Sequence, residues 1–202
     1  MRFILSNNRY EQIKEIVVNL FIKYDVRCIP ISGFELASKI GIKVIPYSSY
    51  PEKTKKLLTK KSKDGFFVEK TEGEFYIYYN DTMNYGRINN TILHEIGHIV
   101  LDHTEESELA EAEVNFFAKY ALVPPVLVYK LNIKNPNKIS EIFDVSIQAG
   151  YYAYNYYRKW LKYGGSILKE YELNLIGLFK DAIWFKGVVL WMQKKSSIRL
   201  LA

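Results

Sequence analysis

Cysteine and histidine are scarce in this 202-residue chain: there is one cysteine, Cys28, and there are three histidines. A single cysteine excludes an internal disulfide and a thiolate metal cluster, and it fits a reducing compartment. Long apolar runs are missing too. No segment approaches the ~18 uninterrupted apolar residues of a membrane span. The greasiest stretch, residues 173–192, is broken by Lys180, Asp181 and Lys186. The opening residues MRFILSNN have neither the apolar core nor the small-residue cleavage site of a secretory signal. A soluble, cytoplasmic protein with no membrane partner is therefore expected. There is also no internal repeat and no low-complexity segment.

What is present is the composition of a folded protein. Hydrophobic residues make up 49%, aromatic 15% and charged 25% of the chain, whereas disorder needs fewer aromatics and more net charge. The length suits one domain, or one domain with an appendage. Seventeen tyrosines suit half-buried packing surfaces, each having an apolar ring and a polar tip. The net charge of +6 owes much to Lys53, Lys55, Lys56, Lys60, Lys61 and Lys63. These read as a solvated helix face followed by a loop, with a basic docking patch as the alternative.

Residues 9–24 carry Ile13, Ile16, Val17, Leu20 and Phe21 at helical spacing. Residues 33–40 read as a short helix stopped by Gly41, and 42–47 as a strand. Pro51 opens a lysine-rich helix. Two β-prone runs, 66–70 and 74–79, flank Glu72-Gly73 as a hairpin. From Asn89 the pattern is helical for about seventy residues, punctuated by Pro124-Pro125 and Asn135-Pro136. Helical stretches are expected at 125–131, 138–144 and 147–162. The fold class is α+β, a small sheet packed on a helical body. Three regions follow: residues 1–124, 125–163 and a C-terminal extension, 164–202, that carries no assignable signal.

Chemistry concentrates in His94-Glu95-Ile96-Gly97-His98. Positions i and i+4 of a helix lie one turn apart on one face, so both imidazoles can reach one ion. Imidazole suits zinc, and a catalytic zinc needs only three protein ligands. Glu95, beside them, can take a proton from the attacking water and pass it to the leaving amine. With His94 at zero on a wheel of ~100° per residue, His98, Thr91, Asp102 and Glu95 fall within about 100°, while Ile92, Leu93, Ile96, Ile99 and Val100 occupy the opposite arc. One face is site and the other is core.

A third ligand is required. His103, on a continuing helix, falls near 180° and faces away. The metzincin pattern needs a glycine and a third histidine where this chain has Leu101 and Thr104, so that class is excluded. A carboxylate of the next helix remains, with Glu105, Glu106, Glu108, Glu111 and Glu113 as candidates. Glu113 lies inside the arc of Leu109, Ala110, Val114, Phe116, Phe117 and Ala121, whereas Glu108 and Glu111 fall outside it. A core-facing carboxylate must be paired or metal-bound, so Glu113 is the expected ligand. Asp102 shares the ligand face one turn past His98. It either accepts an imidazole N–H or is a surface aspartate at the helix end.

Several ordered pieces resemble the ImmA/IrrE family of metallopeptidases. Leu36-Ala37-Ser38-Lys39-Ile40-Gly41-Ile42 resembles its entry helix and first strand. Asp64-Gly65-Phe66 and Tyr76-Ile77-Tyr78-Tyr79-Asn80 resemble the strands before the site. Residues 87–103, RINNTILHEIGHIVLDH, resemble its active-site helix. Glu113-Val114-Asn115-Phe116-Phe117-Ala118 with Leu122-Val123-Pro124 resembles the block carrying the third ligand, with Val114 and Val123 in place of the usual alanine and methionine. Residues 139–149 are similar to a following helix-turn-helix-like segment. Coverage is about residues 33–160. The resemblance implies His94, His98 and Glu113 as zinc ligands and Glu95 as base.

It also implies regulated endoproteolysis of a helix-turn-helix repressor of the Xre type, encoded near the protease on a prophage, conjugative element or stress regulon. Competing readings are a DNA-binding or antitoxin-like regulator with a structural metal, and a protease-type toxin. The basic residues of 147–162, Arg158, Lys159 and Lys162, come late, whereas base-reading residues sit early in a recognition helix. A protein partner is therefore expected rather than nucleic acid.

Overall fold

Ser6, Ser32, Asn84, Asn135 and Ser146 each precede a helix, and each side-chain oxygen accepts the backbone N–H three residues on. Such caps satisfy donors that a first helical turn leaves bare, and they fix where the helices begin. The computed structural model describes residues 4–164 and 167–182. It falls into two units that part between Leu122 and Val123, with Asp25–Pro30 counted in the second.

The first unit contains α1 (Asn7–Lys23), α2 (Gly33–Ile40), β1 (Lys43–Pro46), α3 (Glu52–Lys61), β2 (Gly65–Thr71), β3 (Glu74–Tyr79), α4 (Tyr85–Val100) and α5 (Glu108–Leu122). The sheet runs β1-β3-β2. Parallel β1 sets Val44 opposite Ile77, and antiparallel β2 sets Phe67 opposite the same residue. The β2–β3 hairpin turns at Gly73, whose φ of 76° suits a residue without a Cβ. Ile77, Ile92, Leu93, Ile96, Val114, Phe117, Ile13 and Val17 are wholly buried, so α4 is gripped between the sheet and α5. Asn89, also buried, donates to the carbonyl of Ile31 (2.9 Å) and accepts the N–H of Gly33 (2.6 Å), tying α2 to α4.

The second unit contains α6 (Pro125–Lys130), α7 (Pro136–Phe143), α8 (Ile147–Lys162) and α9 (Glu170–Leu178). Asp144, at φ 51°, ends α7, and Ser146 caps α8 two residues later. The two helices pack closely at Gly150, where a Cβ would stand 2.7 Å from the carbonyl oxygen of Pro136. Buried Glu172 accepts from the indole of Trp160 (2.7 Å) and the N–H of Lys169 (2.9 Å).

This is an α+β fold, as the sequence pattern indicates. The differences from expectation lie at element ends. α4 starts at Tyr85 rather than Asn89 because Asn84 caps it, and α7 starts at Pro136 because Asn135 does. Tyr47–Ser49 form a 3₁₀ turn instead of extending β1. Of the C-terminal extension, residues 165–166 and 183–202 lie outside the described residues. Among the described residues, no helix is long and apolar enough to cross a membrane.

Gly65 seats β2 against α4: a Cβ there would lie 2.7 Å from Thr91 Cγ2 and 2.8 Å from the carbonyl oxygen of Tyr78. Gly65→Ala is expected to lower unfolding free energy by about 1–3 kcal/mol, the usual cost of overpacking. Denaturant unfolding would show an earlier midpoint with an unchanged slope.

Candidate active site

α4 presents two faces. Ile92, Leu93 and Ile96 enter the core, while Thr91, His94, Glu95 and His98 line a cleft of about 650 Å³. Gly97 allows α4 to lie tight on α5, since a Cβ would already be 3.1 Å from the ring of Phe117. One wall of the cleft is β2, which contributes Phe66 and Phe67. The loop after α4 and the start of α5 bring Glu105, Glu106 and Glu111.

The two ligand histidines expected from the sequence do converge. Nε2 of His94 lies 3.3 Å from Nε2 of His98. A carboxylate completes the group, and it is Glu111: Oε1 is 3.3 Å from His98 Nε2, and Oε2 is 3.6 Å from His94 Nε2. Among the described residues, His94, His98 and Glu111 are the three whose donor atoms approach closely enough to share one cation. Burial pushes both imidazoles below their ordinary pKa, which favours the neutral form that a cation needs.

Glu113 is not brought to this group, which corrects the sequence expectation. Its carboxylate, 6% exposed, takes two hydrogen bonds from Arg9, at 2.6 Å each from Nε and Nη2, and faces Nε2 of His103 at 3.0 Å. The premise that a buried carboxylate must be paired or metal-bound holds, but the partner is an arginine from α1. Glu111, half exposed, sits on the cleft side of α5, where a substrate could approach it.

His103 does not face away either. α4 stops at Val100, and Asp102 takes a left-handed conformation (φ 55°). The chain folds back, so that His103 Nδ1 comes within 3.2 Å of His98 Nδ1. Asp102 itself is exposed and makes no side-chain hydrogen bond to either imidazole; His103 occupies the place proposed for it.

Glu95 lies 8% exposed beside the histidines, and the N–H of Phe67 donates to its Oε2 at 3.1 Å. Burial pushes its pKa up to about 7, the Phe67 N–H pulls the other way, and the charge of Glu111 adds to the rise. A carboxyl titrating near neutrality is suited to both taking and giving a proton. Phe67 also stacks its ring on His98, with centroids 5.9 Å apart.

The model of peptidase family M78, described as the IrrE N-terminal-like domain, matches residues 37–152. The chain belongs to this family. It is thus a metallopeptidase, consistent with the ImmA/IrrE resemblance. No curated protein matches it. The matched span of this M78 peptidase takes in α4, α5 and both helices of the α7–α8 pair as far as Tyr152, but leaves out α1 and therefore Arg9.

The raised pKa of Glu95 has a measurable consequence for stability. Between the ordinary carboxyl value of 4.5 and about 7, the metal-free folded chain holds a proton that the unfolded chain has lost. Stability from this group is therefore complete below 4.5 and is lost as pH rises through 7. Glu95→Gln, which mimics the neutral acid, should make the metal-free protein more stable than wild type above pH 7 by about 3 kcal/mol, with the gap closing near pH 4.5. Unfolding curves measured across this range in chelator would test it; parallel curves for the two proteins would refute the shift.

Proposed function

We propose that this M78 peptidase is a zinc endopeptidase that cleaves a helix-turn-helix repressor of the Xre type and so relieves repression. In this reading His94, His98 and Glu111 hold the ion, and Glu95 is the catalytic base. The observation that carries it is the convergence of the donor atoms: the two Nε2 atoms stand 3.3 Å apart, and each faces one oxygen of Glu111, His98 facing Oε1 at 3.3 Å and His94 facing Oε2 at 3.6 Å. Ligands about 2.0–2.1 Å from a tetrahedral zinc stand roughly 3.3 Å apart, so these side chains fit that ion.

The ion would supply Lewis acidity, polarising the scissile carbonyl and acidifying the attacking water. The remaining work falls to the chain. Glu95 takes the proton of the attacking water and delivers it to the leaving amine. The N–H of Phe67 holds one carboxylate oxygen of Glu95, which leaves the other turned to the reaction. β2 is the edge of its sheet and a wall of the cleft, so an extended peptide can lie along it. An open cleft beside an edge strand supports cleavage within a chain rather than at a terminus. The choice of repressor rests on the resemblance to ImmA/IrrE proteins.

The test is incubation of the purified protein with the helix-turn-helix repressor encoded beside its gene, in zinc and in chelator. Wild type with zinc should yield discrete fragments. Glu95→Gln should retain the metal and slow cleavage by about 10²–10⁴-fold, the usual worth of a general base. Glu111→Ala should lose zinc in a chelator competition that Glu95→Gln survives. No cleavage with any divalent metal, together with tight operator binding, would replace this reading with that of a DNA-binding regulator.

A further inference from the structure

The second ring nitrogen of His98 enters a continuous chain of contacts. His98 Nδ1 lies 3.2 Å from His103 Nδ1, and His103 Nε2 lies 3.0 Å from Glu113 Oε2. Arg9 closes the chain, donating from Nε to Oε1 and from Nη2 to Oε2 of Glu113 at 2.6 Å. The His98, His103 and Glu113 side chains are only 10%, 12% and 6% exposed, so little water is available to replace any link.

The chemistry of imidazole fixes where the protons sit. A neutral histidine that offers Nε2 to a cation carries its hydrogen on Nδ1. That N–H must find an acceptor, and the atom facing it is His103 Nδ1. His103 must then be bare at Nδ1 and carry its hydrogen on Nε2, which points at Glu113. The carboxylate of Glu113 can accept it, being ionised and held by the guanidinium fork of Arg9. The reverse arrangement fails at both ends. It would put a hydrogen on His98 Nε2, blocking the ligand atom, and set a bare His103 Nε2 against a carboxylate, two acceptors face to face.

We propose that Arg9, Glu113 and His103 are positioning residues that preset the tautomer and ring orientation of His98 for metal binding. Helix α1, outside the family-matched residues, is thereby part of the metal site. This inference rests on the reading of His94, His98 and Glu111 as the ligands. Outer partners of ligating histidines typically carry a 10–100-fold effect on metal affinity.

A purely structural role must be separated from this one. α1 also packs on α5 by the edge-to-face pair of Tyr10 and Phe116, with centroids 4.6 Å apart. The same Arg9–Glu113 pair could simply tie two helices. The full chain would be titrated with zinc against a chromophoric chelator for wild type, Arg9→Gln, Glu113→Gln, His103→Phe, Tyr10→Ala and the double variant Arg9→Gln/His103→Phe. Unfolding of each metal-free protein and the ¹⁵N tautomer signals of the histidine rings would be recorded alongside.

The expected result is His98 protonated at Nδ1 and His103 at Nε2 in the metal-free wild type. Zinc affinity should fall about 10–100-fold in Glu113→Gln and His103→Phe, and by a smaller factor in Arg9→Gln. Adding Arg9→Gln to His103→Phe should cost no further affinity, because the chain is already cut. Tyr10→Ala should lower stability and leave zinc affinity as in wild type. Equal affinity across the relay variants, a hydrogen on His98 Nε2, or an undiminished Arg9 effect in the double variant would overturn the relay while leaving the ligand set standing. A wild-type chain that binds no zinc would overturn both.

Discussion

The ion pair between Arg9 and Glu113 joins the first helix of the chain to α5, beside the point where His94, His98 and Glu111 converge. A lone carboxylate at the 6% exposure of Glu113 would not stay ionised without compensation, and Arg9 supplies it with two parallel hydrogen bonds. Several consequences follow from that pairing. Glu113 is held below the ordinary carboxylate pKa by Arg9, with His103 adding to the effect. It remains a fixed negative charge for His103 to face, and it is withdrawn from the two histidines of the motif, where Glu111 is the carboxylate that reaches both.

Three glutamates of similar intrinsic acidity thus behave differently within one small region. Glu113 is ionised because an arginine grips it. Glu95, in contact with apolar surroundings and one backbone N–H, is driven towards its neutral form. Glu111, half exposed, faces two imidazoles that are themselves held neutral by burial. Their environments, rather than their residue type, set the three apart.

Much of this was legible in the sequence. The spacing of His94, Glu95 and His98, and the sorting of α4 into a polar and an apolar face, located the site and its helix. The hairpin of β2 and β3 could be read from Glu72-Gly73 and its flanks. The positions of the glutamates were less legible. A helical wheel reports which carboxylate is buried but not what neutralises it, and Arg9 lies 104 residues away from Glu113 in the chain. An isolated arginine in a first helical turn carries no signal of its destination. His103 departs from its wheel position for a different reason. A wheel extends α4 past Val100, whereas Asp102, of a residue type that tolerates the left-handed region, ends it.

That left-handed turn gives the segment from His98 to His103 a role as a measured spacer. On a straight helix His103 would point to the opposite side of α4; with the turn at Asp102 it returns to the ring it would otherwise have left. The length of this connection is therefore as specific as the four-residue spacing within the motif. Adding or removing one residue there would keep every chemical group of the site in the chain and still aim His103 away from His98. The loop from Thr104 to Glu106 carries no such condition, since its ends are fixed by the packing of α4 on α5 and by the Ser107 cap of α5. Drift in length is thus tolerable on one side of His103 and not on the other, a boundary that is set by geometry and that no list of ligand residues would reveal.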